Sequence, residues 1–131
     1  MSPERITGPG RVALQVGPAA STIHDMTEPD RLTRLLSLLE ADPEDAFCLY
    51  GIAQEHAGRG DHETAIGWYE RAAAADPADG YIHYHHARSL EALDRRDDAI
   101  AAVRAGLEAA DRGGDAHARS ELTALLDELG G

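Results

Sequence analysis

One pattern occurs twice between residues 41 and 107, at a fixed offset of 34 positions. The segment Ala41-Asp42-Pro43 recurs as Ala75-Asp76-Pro77, and Ala65-Ile66 recurs as Ala99-Ile100. Further matched pairs are Asp45 and Asp79, Phe47 and Tyr81, Tyr50 and Tyr84, and Ala53 and Ala87. A fixed period of this length is typical of a solenoid, in which each repeat packs against its neighbours. The chain is therefore expected to fold as a short array of similar units.

Within each unit, the order of large and small residues resembles that of the tetratricopeptide repeat family. Matching positions in the first unit are Leu49, Ala53, Ala65, Tyr69, Ala72 and Pro77; those in the second are His83, Ala87, Leu90, Ala99, Val103 and Gly106. The second unit departs from the family at its end, where Asp111 replaces the proline. The resemblance implies an all-α fold: antiparallel helix-turn-helix repeats in a short right-handed α-solenoid with a C-terminal capping helix.

The repeat pattern also divides the chain into two parts. Residues 1–26 are rich in Gly and Pro and lie outside the pattern, so we expect a disordered N-terminal segment, with Met26 as an alternative translation start. We expect residues 27–131 to form the repeat domain: a half-repeat helix 28–40, repeat 1 at 45–77, repeat 2 at 79–111 and a capping helix 115–129. The half-repeat helix would cap the N-terminal end of the stack.

Side chains near the helix ends predict where individual helices start and stop. Thr27 is the expected N-cap of the first helix, whose inward residues are predicted to be Leu32, Leu35, Leu36 and Leu39. Asp94 is the expected N-cap of the second helix of repeat 2. The segment Arg112-Gly113-Gly114-Asp115 predicts a break, and the capping helix fits the repeat spacing only with one or two residues inserted there.

Composition excludes several classes of function. The formal net charge is −12, and the excess falls on residues 27–131, so binding to nucleic acid or to an anionic membrane is not expected. Cys48 is the only cysteine, which rules out a disulfide within the chain. The sequence contains no apolar run near the ~20 residues of a membrane span, and we expect a cytoplasmic protein without a cofactor.

Seven histidines raise the question of a metal site. His83 and His86 have the helical spacing of two ligands, but no carboxylate or cysteine at a suitable spacing completes a tetrahedron. In the repeat pattern they match Leu49 and Ile52, which favours inward packing positions, either in the core or between repeats. The sequence also lacks a Gly-flanked nucleophilic serine and a Gly-rich phosphate loop, so an enzyme is not expected.

The first helix of each repeat carries a row of residues that favours partner binding. In the family that the chain resembles, one face of these helices lines a concave groove. Here the matching residues are Phe47, Tyr50, Gln54, Tyr81, Tyr84, His85 and Arg88. Their helical spacing also places them on common faces. Some of them would equally suit packing between helices, and the last helix is expected to cross one end of the groove.

Three functions agree with this pattern. The first is a non-catalytic adaptor that binds a protein or peptide partner, which the acidic surface would favour if the partner is basic. The second is a protein that binds a metal or small molecule through His83 and His86. The third is a self-association module, in keeping with a monomer or a weak homodimer.

Overall fold

A computed structural model describes residues 30–131, so the expectations for residues 1–26 and for Thr27 lie outside the described residues. The described part contains six helices and no strand. They are α1 (Arg31–Ala41), α2 (Ala46–Gly58), α3 (His62–Ala75), α4 (Gly80–Ala92), α5 (Arg96–Gly113) and α6 (Ala116–Leu129). The predicted all-α class is confirmed. None of these helices is long and apolar enough to cross a membrane.

The chain divides into two compact units between Arg34 and Leu35, and helices α2–α6 all belong to the second. Each of these helices packs against the next in the chain, and α4 also contacts both α2 and α6. The unit therefore has two layers, with α2, α4 and α6 in one and α3 and α5 in the other. The role of α1 as an N-terminal cap stays a prediction.

Small residues are buried at the positions that the repeat pattern assigns to helix contacts. Ala53 and Ala87 of the first helices have 0% exposed surface, and so do Ala65 and Ala99 of the second helices. Alanine at these positions allows two helices to approach closely, and Tyr69 fills the larger space in repeat 1 with 1% of its surface exposed. The two repeats thus use the same small residue at the positions where their helices touch.

Aspartate side chains cap the helices of the first layer. Asp45 accepts hydrogen bonds from the backbone N–H groups of Phe47 and Cys48, and Asp79 accepts one from Tyr81. Asp115 caps α6 in the same way and lies 36 residues after Asp79, against 34 residues between Asp45 and Asp79. Two residues are therefore inserted before the last helix, within the predicted range.

Helix α1 differs from the sequence-based expectation in its start and in its inward face. It begins at Arg31, three residues later than predicted. Asp30 accepts a hydrogen bond from the backbone N–H of Thr33 at 2.8 Å, and this satisfies an N–H group of the first turn. Leu35 and Leu39 are buried, but Leu36 is 40% exposed, so its predicted inward position is wrong.

The break predicted at residues 112–115 is shorter than expected, because α5 continues through Gly113. The absence of a side chain at Gly113 allows a close approach to the turn before α4, since a Cβ there would lie 2.7 Å from the carbonyl oxygen of Ala78. Arg112 reinforces this contact by donating from Nη2 to the carbonyl oxygen of Pro77 at 2.9 Å. Gly114, with a φ of 65°, then ends the helix.

Asp94 is not the N-cap that the sequence suggested. It adopts a left-handed conformation with a φ of 60°, and Arg95 takes the N-cap position of α5 without a capping side-chain hydrogen bond. Gly60 occupies the equivalent turn of repeat 1 with a φ of 81°. The turn geometry is therefore conserved between the repeats while the residue is not, and an aspartate carries the strain that glycine avoids.

We expect Asp94→Gly to raise the free energy of unfolding by about 0.5–1 kcal/mol, because glycine adopts a positive φ without steric cost. The matched change Gly60→Ala should lower it, because alanine would enter the conformation that Gly60 now occupies. Chemical denaturation of both variants measures the two effects. A stabilised Gly60→Ala protein or a destabilised Asp94→Gly protein would contradict this account of the turns.

Candidate functional site

Helices α2, α4 and α6 bring aromatic side chains together on one surface, which we call the aromatic face. We define it by the seven predicted residues and one residue of α6: Phe47, Tyr50, Gln54, Tyr81, Tyr84, His85, Arg88 and His117. Ring contacts bring together five of them, Tyr50, Tyr81, Tyr84, His85 and His117. Three adjacent helices supply it, and the aspartate caps of these helices fix where each first turn begins. The face is therefore a product of the repeat itself.

The rings on this face form a continuous row. The centroid of Tyr50 lies 5.7 Å from that of His85, and His85 lies 5.2 Å from Tyr84. Tyr84 is 6.4 Å from Tyr81, which in turn is 6.1 Å from His117 of α6. All four pairs are tilted or edge-on, with interplanar angles of 45–80°, which are favourable arrangements for aromatic pairs.

Two predicted residues of α2, Phe47 and Gln54, are not part of this row of rings. Phe47 is 67% exposed and takes part in no ring contact among the described residues. Gln54, by contrast, accepts a hydrogen bond from the hydroxyl group of the buried Tyr69, so its carbonyl oxygen is already used. The ring that Tyr50 meets in the next repeat is that of His85 rather than that of Tyr84.

Arg88 lies among carboxylates of its own chain. Its Nη1 atom is 3.2 Å from Glu128 of α6 and 3.5 Å from Glu91 of α4. Both ion pairs are exposed to solvent, so each contributes little to stability. They nevertheless show that the guanidinium group has anionic neighbours before any partner arrives.

The sequence-based expectation that α6 crosses one end of the groove is wrong. Helix α6 instead runs along the aromatic face. Its first turn places His117 beside Tyr81, while its last turn places Glu128 beside Arg88, near the other end of α4. The sequence contains a signal for this position. Once two inserted residues are allowed, His117 follows Tyr81 at the same interval as Asp115 follows Asp79.

Burial changes the proton affinity of the tyrosines. Burial, and to a lesser extent Asp79 and Tyr81, raises the pKa of Tyr50 to about 12. Burial also raises the pKa of Tyr69, with a smaller contribution from Tyr50. Both hydroxyl groups therefore stay protonated near neutral pH and can donate hydrogen bonds.

Three histidines of α4 are predicted to make the fold sensitive to mild acid. Burial is the largest cause that lowers the pKa of His83, His85 and His86 below their ordinary value of 6.5. As the pH falls through this value, the unfolded chain binds protons before the folded chain does, so stability is lost. We expect a lower Tm at about pH 5.5 than at about pH 7.5.

Thermal unfolding across this range measures the effect, and His86→Gln should reduce the pH dependence because it removes one of the three groups. The pKa of Asp61 is lowered, first by its hydrogen bond with Thr64, and this affects stability only below about pH 5, so it does not interfere between pH 5.5 and pH 7.5. A Tm that is constant or rises toward pH 5.5 would show that the three imidazoles are not held in the neutral form.

A cleft of about 410 Å³ opens on the other side of α4, between α3 and α5. His83 and His86 line it together with Glu70, Arg95 and Asp98. Its remaining walls are apolar and mostly alanine: Ile66, Ala73, Leu90, Ala101, Ala102 and Ala105. The cleft therefore combines apolar walls with polar and charged side chains.

His83 and His86 are less buried than a core position requires, and the ring of His86 packs between repeats, stacked on Tyr69 of repeat 1 with ring centroids 6.2 Å apart. Both are half-buried, whereas their counterparts in repeat 1, Leu49 and Ile52, have 1% and 0% exposed surface. The alanines of the flanking helices are too short to close over the two imidazoles. Within residues 30–131 no three metal-binding side chains lie close enough together to hold an ion.

Solved structures that resemble this chain include two of tetratricopeptide repeat domains. One is the solution NMR structure of a tetratricopeptide repeat domain protein from Salinibacter ruber, with a TM-score of 0.62 and 35% identity over 67% of this chain and 89% of that one. The other is the crystal structure of a tetratricopeptide repeat domain protein from the same organism, with a TM-score of 0.61 and 33% identity over 66% of this chain and 98% of that one. No protein-family model and no curated protein matches the sequence.

These matches agree with the internal evidence. The layered helix pairs and the equivalent buried alanines form an all-α helical repeat solenoid, as in the two Salinibacter structures. The similarity extends over most of each solved domain and not over a single helix pair. The chain belongs to the tetratricopeptide repeat family.

Proposed function

We propose that this protein is a non-catalytic adaptor whose aromatic face binds an extended or helical segment of another protein. The family indicates a protein-interaction module in general, and its fold is typically a scaffold without catalytic activity. The partner segment would lie along the face formed by α2, α4 and α6. Fold alone does not name a partner, so the proposal depends on the residues of this face.

The observation that carries the proposal is the continuous row of rings from Tyr50 to His117. Tyrosine offers apolar area together with a polar group, and it is enriched among the residues that dominate binding energy at interfaces. Tyr81 and Tyr84 are half-buried, and Phe47 is 67% exposed, so part of each side chain is open to a partner. Aromatic contact would anchor the partner, and charge would guide its approach.

The size of the face limits the expected affinity. Three helices of 13–14 residues provide a small footprint, so the interface should bury less than roughly 1,200 Å² in total. A dissociation constant in the micromolar range, ~8 kcal/mol, is expected. The net charge of −12 would speed the approach of a basic partner and make the association rate fall with added salt.

The double variant Tyr50→Ala, Tyr84→Ala tests the proposal, because it removes two rings of the row and leaves the net charge unchanged. It should lose the proteins that the wild type retains on an affinity resin and weaken the binding of an identified partner by tenfold or more, about 1.4 kcal/mol. Circular dichroism and melting curves must first show that the variant is folded. Phe47→Ser offers a second variant that removes little packing, because Phe47 is 67% exposed.

The matched control is Trp68→Ala on α3, which removes an aromatic side chain outside the aromatic face. Trp68 is half-buried and lies under the guanidinium group of Arg71 at 4.7 Å. This variant should bind like the wild type. If the folded double variant keeps full affinity while Trp68→Ala loses it, the second layer is the binding surface and the proposal fails.

The cleft favours a second candidate function, the binding of a small molecule through His83 and His86. Its volume of about 410 Å³ falls within the usual range for ligand pockets, and the neutral imidazoles that line it can donate and accept hydrogen bonds. Elemental analysis of purified protein before and after chelator treatment tests for a metal. A screen for thermal stabilisation by organic ligands, repeated on His83→Ala, tests for a small molecule.

A further inference from the structure

One end of the aromatic face combines rings with negative charge. The ring of Tyr81 lies between those of Tyr84 and His117, at centroid distances of 6.4 and 6.1 Å. The interplanar angle with Tyr81 is 65° for Tyr84, which is an edge-on arrangement, and 45° for His117. These three rings lie where the first turns of α4 and α6 are neighbours, since Tyr81 of α4 meets His117 of α6.

Three carboxylates place negative charge near this ring cluster. Burial raises the pKa of Tyr81, and Glu121, Asp115 and Asp79 raise it further through their negative charge. Asp79 and Asp115 are held in place because each accepts a backbone hydrogen bond at 3.0 Å in its helix cap. Glu121 lies 3.8 Å from His117 and keeps 43% of its side chain exposed.

The cations around this end are occupied elsewhere. Arg119 pairs with Asp111 at 2.7 Å, and Arg88 lies near the other end of α4, against Glu128 and Glu91. Arg112 donates to the carbonyl oxygen of Pro77. Among residues 30–131 no arginine forms an ion pair with any of the three carboxylates of the cluster.

We propose that the site formed by Tyr81, Tyr84, His117 and Glu121 receives an arginine side chain of the bound partner segment. A guanidinium group is planar, stacks on aromatic rings and pairs with a carboxylate through two hydrogen bonds, so it uses both features of the site. An ammonium group is a compact point charge and gains less from the rings. This inference rests on the proposed function, because it specifies what the partner places at one end of the aromatic face.

The probes are three blocked amino acids: N-acetylarginine methylamide, its lysine equivalent and its uncharged citrulline equivalent. Each is titrated into ¹⁵N-labelled full-length protein, and the amide signals of Tyr81, Tyr84, His117 and Glu121 are followed. Arginine should shift these signals in a saturable manner, with weaker shifts from lysine and none from citrulline. Equal shifts with lysine would overturn the choice of arginine, and equal shifts with citrulline would overturn the site as a whole.

Variants separate the site from general attraction by an acidic protein. Tyr81→Leu keeps apolar bulk without the ring, and Glu121→Gln removes the exposed carboxylate; each should weaken arginine binding about threefold or more. Glu108→Gln is the matched control, since it removes an exposed carboxylate from α5 in the other layer and should leave binding unchanged. Equal weakening by Glu108→Gln and Glu121→Gln would overturn the proposal.

The two proposals fail in distinguishable ways. Capture of a partner by the wild type and its loss in the Tyr50→Ala, Tyr84→Ala variant would support the aromatic face even if arginine shifts no signal at Tyr81. That combination would overturn the arginine site alone. Because Glu121 is partly exposed, Glu121→Gln should fold normally and keeps the test decisive if Tyr81→Leu does not fold.

Discussion

Leu122→Ala is expected to lower the free energy of unfolding by about 2–5 kcal/mol, the range for a large apolar side chain truncated in a core. Leu122 has 0% exposed surface and lies on α6, facing two glycines. Its Cδ1 atom lies 3.2 Å from the position a Cβ would take on Gly80, and its Cδ2 atom 2.9 Å from that on Gly106. The leucine therefore fills the space that both glycines leave open.

A double-mutant cycle tests this packing directly. Gly106→Ala alone should be destabilising by about 1–3 kcal/mol, because the new methyl group would also lie 2.8 Å from the Cβ of His83. In the Leu122→Ala background the same change should cost less, since one of the two clashes is gone. Gly67→Ala is the control, with no atom within 4 Å of the added methyl group, and should stabilise by about 0.5–1 kcal/mol.

Two outcomes of the cycle would contradict the account. A cost below about 1 kcal/mol for Leu122→Ala would mean that α6 is not part of the core. Equal costs of Gly106→Ala in both backgrounds would mean that the two side chains do not share a space. Denaturation curves of the four proteins give all the required values.

Ala65→Leu is expected to lower the free energy of unfolding by about 1–3 kcal/mol, because a larger side chain would force packed helices apart. Ala65 has 0% exposed surface and lies on α3, which packs against both α2 and α4. Ala99 occupies the equivalent position on α5 and is equally buried. Ala99→Leu should therefore carry a similar cost.

Glu63→Ala is the control for these two substitutions, because Glu63 is an exposed residue of the same helix as Ala65. It should change stability by less than about 0.5 kcal/mol. If Ala65→Leu and Glu63→Ala have the same effect, the assignment of inward positions is wrong. If Ala65→Leu is costly and Ala99→Leu is not, the two repeats do not pack in equivalent ways.

The sequence predicts the buried contacts between helices well, because the residues that make them recur at the 34-residue interval of the repeat. Ala53 and Ala87 recur at one interval, and both are fully buried. Local deviations from the repeat were not predictable in this way. Aspartate is a favoured N-cap residue, so the sequence favours Asp94 as the cap of α5. The turn before α5 requires at this position the positive φ that Gly60 adopts in the preceding repeat, and this requirement overrides the capping preference.

The rings that meet on α2 and α4 were predictable in part, since Tyr50 and Tyr84 recur at the repeat interval and Tyr81 lies one turn before Tyr84. The contribution of α6 was missed because the two residues inserted before Asp115 move His117 out of the simple spacing. The cleft was missed for another reason. It depends on the size of the alanines opposite His83 and His86, and helical periodicity marks a residue as inward without saying whether its neighbours can cover it.

The most direct test of the central claim is to map where an identified partner touches the protein. Hydrogen–deuterium exchange with and without that partner should show protection in α2, α4 and α6, centred on peptides that contain Tyr50, Tyr84 and His117. Helices α3 and α5 should exchange at unchanged rates, because they form the other layer. Protection confined to α3 and α5, around the cleft of His83 and His86, would contradict binding at the aromatic face.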